Sequence, residues 1–92
     1  MSTKAEKRYM NRVAELGCVV CRMLGYGSTP AQLHHVREGQ GMAQRAQNWL
    51  VIPLCPEHHQ GKTGVHGDRS AMRQLKVDEL DLLSQTIQDL NA

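Results

Sequence analysis

Two pairs of potential metal ligands stand far apart in the chain but share one spacing. The first pair is Cys18 and Cys21, and the second is Cys55 and His58, each separated by two residues. A two-residue spacer lets both ligands of a pair turn toward the same ion, and three thiolates with one imidazole are typical of structural zinc. We therefore predict a closed structural Zn²⁺ site that uses every cysteine of the chain.

Two other interpretations of the cysteines are open. They could be ordinary buried thiols, or Cys18 and Cys21 could form a redox pair. A redox pair of the thioredoxin type opens a helix after a strand, whereas here the pair follows a predicted helix that ends at Gly17. The matched spacing of the two pairs favours zinc.

Four of the five histidines are left over once the zinc site is complete. His34 and His35 are neighbours, His59 follows His58 directly, and His66 lies seven residues later. A neutral imidazole can bind a transition metal or accept a proton near neutral pH. Each of these residues taken alone is more often a surface or core histidine than a ligand. Their concentration between positions 34 and 66 nevertheless predicts a second site.

The elements that must position these residues are helices and two short strands. We predict a helix over residues 3–16 and strands near residues 31–37 and 49–54, joined by a long loop. Asp68 and Asp78 are predicted N-caps of two further helices. Trp49, at the start of a buried strand, is predicted to lie in the core rather than to stack on a nucleic-acid base. One apolar face of the last helix is predicted to be core rather than a partner interface: Leu80, Leu83, Ile87 and Leu90.

Length and composition limit the possible classes of protein. A chain of 92 residues with one Trp, two Tyr and no Phe has a small core, which a metal ion would help to stabilise. Residues 1–76 hold all eleven basic and five acidic residues, a net charge of +6, which is compatible with nucleic acid as a partner or simply with a solvated surface. The sequence has neither an apolar run of membrane-spanning length nor a secretory h-region, so a cytoplasmic protein is expected.

Three segments together resemble the HNH, or ββα-metal, nuclease family. They are L33-H-H-V36, N48-W-L-V-I-P-L-C55 and C55-P-E-H-H59, and the resemblance extends over about residues 17–67. Within that family, the HHV-R segment and the G-K-T-G-V-H-G segment at residues 61–67 are most similar to the phage-borne recombination-enhancement nucleases called Ref.

The resemblance implies a fold and a role for each histidine. The implied fold is a single α+β domain over residues 1–92: an N-terminal helix (1–16), a zinc-stapled ββα-metal core (17–67) and one or two C-terminal helices (68–92). His35 is implied to be the general base, oriented by Asn48, and His34 and His59 to be ligands of a second divalent metal. Many members place the last ligand where Thr63 stands here, so His66 is the expected third ligand, with a phosphate-binding or surface histidine as the alternative.

The implied activity is hydrolysis of DNA phosphodiester bonds by a metal-dependent endonuclease of phage or prophage origin. An imidazole donor set suits Mn²⁺, Ni²⁺, Co²⁺ or Zn²⁺ better than Mg²⁺, although Mg²⁺ is also a candidate. The Ref resemblance implies dependence on a RecA filament on single-stranded DNA. The alternatives are a non-cleaving, zinc-stabilised nucleic-acid-binding module and a protein-interaction domain. Basic residues near the site could neutralise phosphates or be solvated charges: Arg37, Arg45, Lys62, Arg69 and Arg73.

Overall fold

The computed structural model describes residues 2–37 and 47–92, which form an α+β fold around a two-stranded sheet. In chain order the elements are α1 (Lys4–Glu15), α2 (Val19–Met23), β1 (Gln32–His35), β2 (Val51–Leu54), α3 (Pro56–His59), α4 (Ser70–Leu75) and α5 (Glu79–Leu90). The predicted fold class is therefore confirmed. None of the helices in the described ranges is long and apolar enough to cross a bilayer.

The first helix brings the chain directly to the first cysteine pair. Thr3 and Glu6 form a capping box at the start of α1. Gly17 follows the helix with φ of 80°, and a Cβ there would meet Ser28 Oγ at 2.2 Å, so glycine is required by both conformation and space. Cys18 then caps α2, accepting the Cys21 amide at 3.4 Å. The cysteine pair thus opens a short helix, but that helix follows α1 and not a strand.

The sheet holds the histidine pair in a fixed register. β1 and β2 are antiparallel, with His34 opposite Ile52 and His35 opposite Val51. All four residues of β2 are buried, and α3 follows it immediately. Because side chains alternate along a strand, His34 and His35 point to opposite faces of β1. His34 is buried and His35 is only partly buried.

Trp49 corrects one prediction. Its side chain is 42% exposed, because β2 begins at Val51 and leaves Trp49 in the turn before the strand. The indole packs on the ring of Tyr9 in α1, with ring centroids 5.0 Å apart.

The apolar face of the last helix is also different from the predicted one. Asp78 caps α5 as predicted, in a capping box with Asp81. Of the predicted face, Leu83 is buried as expected and Leu90 is partly buried, but Leu80 and Ile87 are exposed. The buried residues of α5 are Glu79, Leu82, Leu83 and Thr86. Leucines at several successive positions are compatible with two overlapping faces of one helix, so the sequence pattern alone did not identify the buried one.

The cap of α4 lies one residue later than predicted. Arg69, with φ of 58°, occupies the N-cap position and makes no side-chain cap. Asp68 still satisfies an amide at the helix start, since its Oδ1 accepts from Ser70 N at 2.9 Å. The sequence therefore indicated the helix and the capping carboxylate, but not the residue at which the helix begins.

Candidate active site

The four predicted zinc ligands come together in one buried group. Cys18, Cys21, Cys55 and His58 each offer a ligand atom within 4.8 Å of the others. The Sγ atoms of Cys21 and Cys55 are 3.7 Å apart. Nδ1 of His58 lies 3.5, 3.4 and 3.2 Å from the sulfurs of Cys18, Cys21 and Cys55, respectively.

These distances fit a tetrahedral zinc ion. Ligands at about 2.3 Å for sulfur and about 2.0–2.1 Å for nitrogen give edges of about 3.8 Å between sulfurs and about 3.5 Å between sulfur and nitrogen. Burial, with smaller contributions from the nearby thiols of Cys18 and Cys55, raises the pKa of the Cys21 thiol to about 12, although Thr29 acts in the opposite direction. A buried thiol of this kind gives up its proton at neutral pH only when a cation compensates the charge. The group can therefore hold zinc.

A second group consists of three histidines. His34 from β1, His59 from α3 and His66 each offer a ring nitrogen within 4.8 Å of the others. Their ring centroids are 5.2, 5.0 and 4.9 Å apart. Two ligands about 2.1 Å from one ion are at most about 4.2 Å apart, so small movements of the rings would bring all three to a single ion.

The imidazoles of this group favour the neutral form that a metal requires. Burial lowers the pKa of His34, partly offset by the carboxylate of Glu79. Burial also lowers the pKa of His59, and the neighbouring His34 and His66 lower it further. A neutral imidazole keeps the lone pair with which it binds an ion. His66 is exposed, so the group opens to solvent on its side.

A glycine-rich turn, residues 61–67, brings His66 close to the other two histidines. The amides of Val65 and His66 donate to the carbonyls of His58 and His59 at 2.9 and 3.0 Å, which lays the turn against α3. A Cβ at Gly64 would lie 2.6 Å from the carbonyl oxygens of both Glu57 and His58. The close approach therefore requires glycine. Thr63, where many family members were expected to place the last ligand, instead donates to Glu57 through its amide and hydroxyl at 3.2 and 2.8 Å.

Two rings of the histidine group are held by protein oxygens. Gln32 Oε1 lies 2.9 Å from Nδ1 of His59, which leaves Nε2 of that ring for an ion. The carboxylate of Glu79 binds Nε2 of His34, which leaves Nδ1. Such partners fix the tautomer and orientation of a metal-ligating histidine.

His35 has a separate set of contacts. Its Nε2 lies 2.9 Å from Asn48 Oδ1. The Asn48 amide in turn donates to Ser2 Oγ at 3.0 Å and to Glu6 Oε2 at 3.3 Å. Hydrogen bonds from the Thr3 amide and hydroxyl lower the pKa of Glu6, so its carboxylate accepts the Asn48 donor in ionised form. His35 and Asn48, predicted to act together, are in direct contact.

A comparison with known protein families bears on this geometry. The family model described as "Recombination enhancement, RecA-dependent nuclease" matches residues 2–90. The chain belongs to this family. The predicted similarity to Ref nucleases is thereby confirmed, and the match extends from the helix that supports Asn48 to the helix that carries Glu79.

The basic residues predicted to contact the substrate of this nuclease family are only partly gathered at the site. Arg37 and Arg69 line one cavity of about 420 Å³ together with Asp78 and Glu79. Lys62 is exposed on the glycine-rich turn, and Arg73 is exposed on α4, where it donates to the Asp68 carbonyl. Arg45 lies outside the described residues.

Sequence reasoning missed the residues that support the histidines. Four such residues contact His34, His59 or Asn48 from up to 46 positions away along the chain: Glu79, Gln32, Ser2 and Glu6. Glu79 was not among the predicted site residues. Its single distinguishing signal was its position beside the Asp78 cap, and that signal indicates a helix start rather than a site.

Proposed function

We propose that this protein is an HNH endonuclease that hydrolyses DNA phosphodiester bonds with one divalent metal, the whole chain acting as a single domain. The observation that carries the proposal is that ring nitrogens of His34, His59 and His66 lie within 4.8 Å of one another. His35, which follows His34 in the chain, is hydrogen-bonded to Asn48. The family provides the nuclease activity, and the residues suggest how it is performed.

His35 is the proposed general base. Because Asn48 Oδ1 can only accept a hydrogen bond, Nε2 of His35 carries the proton and Nδ1 keeps a lone pair. That lone pair can take a proton from the water that attacks phosphorus. Asn48, itself held by Ser2 and Glu6, keeps the ring from rotating away from this orientation.

His34, His59 and His66 are the proposed ligands of the catalytic metal. A divalent ion held there would supply positive charge to the phosphate oxygens and to the departing 3′-oxygen. The three imidazoles suit Mn²⁺, Ni²⁺, Co²⁺ or Zn²⁺, with Mg²⁺ also a candidate. We place the scissile phosphodiester at the end of β1, where the proposed ligand His34 and the proposed base His35 are consecutive.

The cavity beside Glu79 is the proposed site for a neighbouring phosphate. Arg37 and Arg69 line it, and Glu79 in its wall also contacts the ligand His34. Guanidinium groups can hold phosphate oxygens bidentately. Contacts of this kind position DNA without reading its sequence, so we propose cleavage with little base specificity. The family description names RecA dependence, and we propose that RecA acts as a filament on single-stranded DNA.

The test is a cleavage assay of the zinc-loaded protein on plasmid and single-stranded DNA, with Mg²⁺ or Mn²⁺, in the presence and absence of RecA filaments. We expect cleavage by the native protein and a loss of at least about 100-fold in His35→Ala, because a general base contributes about 10² to 10⁴ in rate. Zinc content and melting temperature of the variant should match those of the native protein.

Two results would contradict the proposal. Equal cleavage by the native protein and His35→Ala would remove His35 as the base. DNA binding without cleavage under every condition, with RecA filaments included, would identify a non-cleaving nucleic-acid-binding module.

A further inference from the structure

The carboxylate of Glu79 is buried, and burial is energetically unfavourable for a charged group. Its side chain is 3% exposed, and the ring that it contacts, His34, is 1% exposed. A buried carboxylate is tolerated only when its oxygens are paired. Both oxygens of Glu79 have partners: Oε2 binds His34 Nε2, and Oε1 accepts from the Arg37 amide at 2.8 Å.

The position of Glu79 is fixed by the helix to which it belongs. It is the first residue of α5, directly after the Asp78 cap. Leu82, Leu83 and Thr86 bury the same face of that helix. Rotation or translation of α5 would expose these side chains, so core packing holds the carboxylate against His34.

We infer that Glu79 is a positioning residue for the second metal site, acting through His34. Its carboxylate holds the proton of His34 on Nε2 and directs Nδ1 to the ion. Glu79 does not belong to the group of His34, His59 and His66, whose potential ligand atoms lie within 4.8 Å of one another. It therefore acts on the ring of His34 and does not bind the ion itself. The inference rests on the proposed second metal site and adds a role for the C-terminal helix.

Gln32 offers an internal comparison. It contacts Nδ1 of His59 at 2.9 Å with a neutral amide oxygen, where Glu79 uses a charged one. A carboxylate makes the imidazole a stronger electron donor than an amide does. Of the two supporting residues, Glu79 therefore makes the larger contribution to metal affinity.

The test measures metal binding instead of cleavage. The protein carrying only its structural zinc is titrated with Mn²⁺ by calorimetry and with Co²⁺ by visible absorption. We compare the native protein with Glu79→Gln, His34→Ala and the double variant, and with Glu15→Gln, an exposed glutamate of α1, as the matched control. We expect Glu79→Gln to bind Mn²⁺ about 10- to 100-fold more weakly and to alter the Co²⁺ spectrum, with one zinc retained.

The double variant separates positioning from a general structural role. If Glu79 acts through His34, adding Glu79→Gln to His34→Ala causes no further loss of Mn²⁺ affinity. An equal further loss in that background would overturn the inference. So would Mn²⁺ affinity of Glu79→Gln within twofold of the native value.

A measurement on the native protein does not depend on the variants folding. Nitrogen-15 NMR of the histidine rings should show the proton of His34 on Nε2, and a proton on Nδ1 would overturn the inference. If the native protein and His34→Ala bind Mn²⁺ equally weakly, the second metal site itself is absent and the proposed function fails with it.

Discussion

The two histidines at the end of α3 serve two different groups. His58 directs Nδ1 to three thiols in a buried cluster, whereas His59 belongs to a group with an exposed member, His66. Consecutive residues on a helix point about 100° apart, so a single turn can face both ways. The two groups differ in the number of potential ligands: four protein ligands could complete a tetrahedral site in the first group, whereas the three histidines of the proposed second site would leave a coordination position open.

The largest expected effect comes from replacing one ligand in each group. Cys21→Ser should lose zinc and the folded state, because zinc contributes about 10–16 kcal/mol to folding in small zinc domains, which is comparable with the entire stability of a typical protein. His59→Ala should keep one zinc and the native circular dichroism spectrum, and lose only the second metal. Metal content by mass spectrometry together with circular dichroism checks both. Loss of zinc in both variants would show that the two groups are not separable.

A smaller effect is expected from the turn that joins the groups. Gly64→Ala would place a Cβ 2.6 Å from the carbonyl oxygens of Glu57 and His58, which must displace the turn. Such overpacking costs about 1–3 kcal/mol. We expect Mn²⁺ affinity of the histidine group to fall by about tenfold or more, with zinc retained. Lys62→Ala, exposed on the same turn, is the control and should leave Mn²⁺ affinity unchanged; an unaltered affinity in Gly64→Ala would mean that the turn does not position His66.

The smallest effect is expected at the contact that joins α2 to α5. Arg22 Nη1 donates to Asp89 Oδ2. Burial by itself would raise the pKa of the Asp89 carboxyl, but hydrogen bonds from Arg22 and Gln85 hold it below its ordinary value. Since the folded pKa is the lower one, this contact stabilises the protein above about pH 4 and is lost as the pH falls through the folded pKa.

Asp89→Asn should therefore lower the free energy of unfolding by about 1 kcal/mol at pH 7, and the difference from the native protein should shrink in 1 M NaCl because salt screens a partly exposed ion pair. Urea unfolding at pH 7 in low and high salt measures it, with Glu15→Gln as the control. A difference that is equal at both salt concentrations would exclude an electrostatic origin. Zinc content should stay at one ion in either case, which would keep this contact distinct from the metal groups.

The difference between the two groups also explains which features of the protein could be predicted from the sequence. The cysteine pairs were predictable because each pair is local, and a two-residue spacer restricts both ligands to one ion. His66 was less certain because its approach depends on the packing of Gly64 against α3, which no local pattern reveals. The predicted buried face of α5 was wrong at Leu80 and Ile87, because the leucines of this helix fit two alternative faces. The prediction that Trp49 lies in the core was wrong because β2 begins two residues later than expected.

The sequence by itself determined the donor atoms, their spacing within each pair, the cap of α5 and the resemblance to a nuclease family, because these depend on residue type and short-range geometry. Only the tertiary structure decided which nitrogen of His34, His35 and His59 contacts a protein oxygen, and which residues hold the rings. Glu79 meets His34 across 45 positions, and Asn48 meets Glu6 across 42. Such contacts result from the packing of whole elements against the sheet, and packing is a property of the folded chain rather than of any segment.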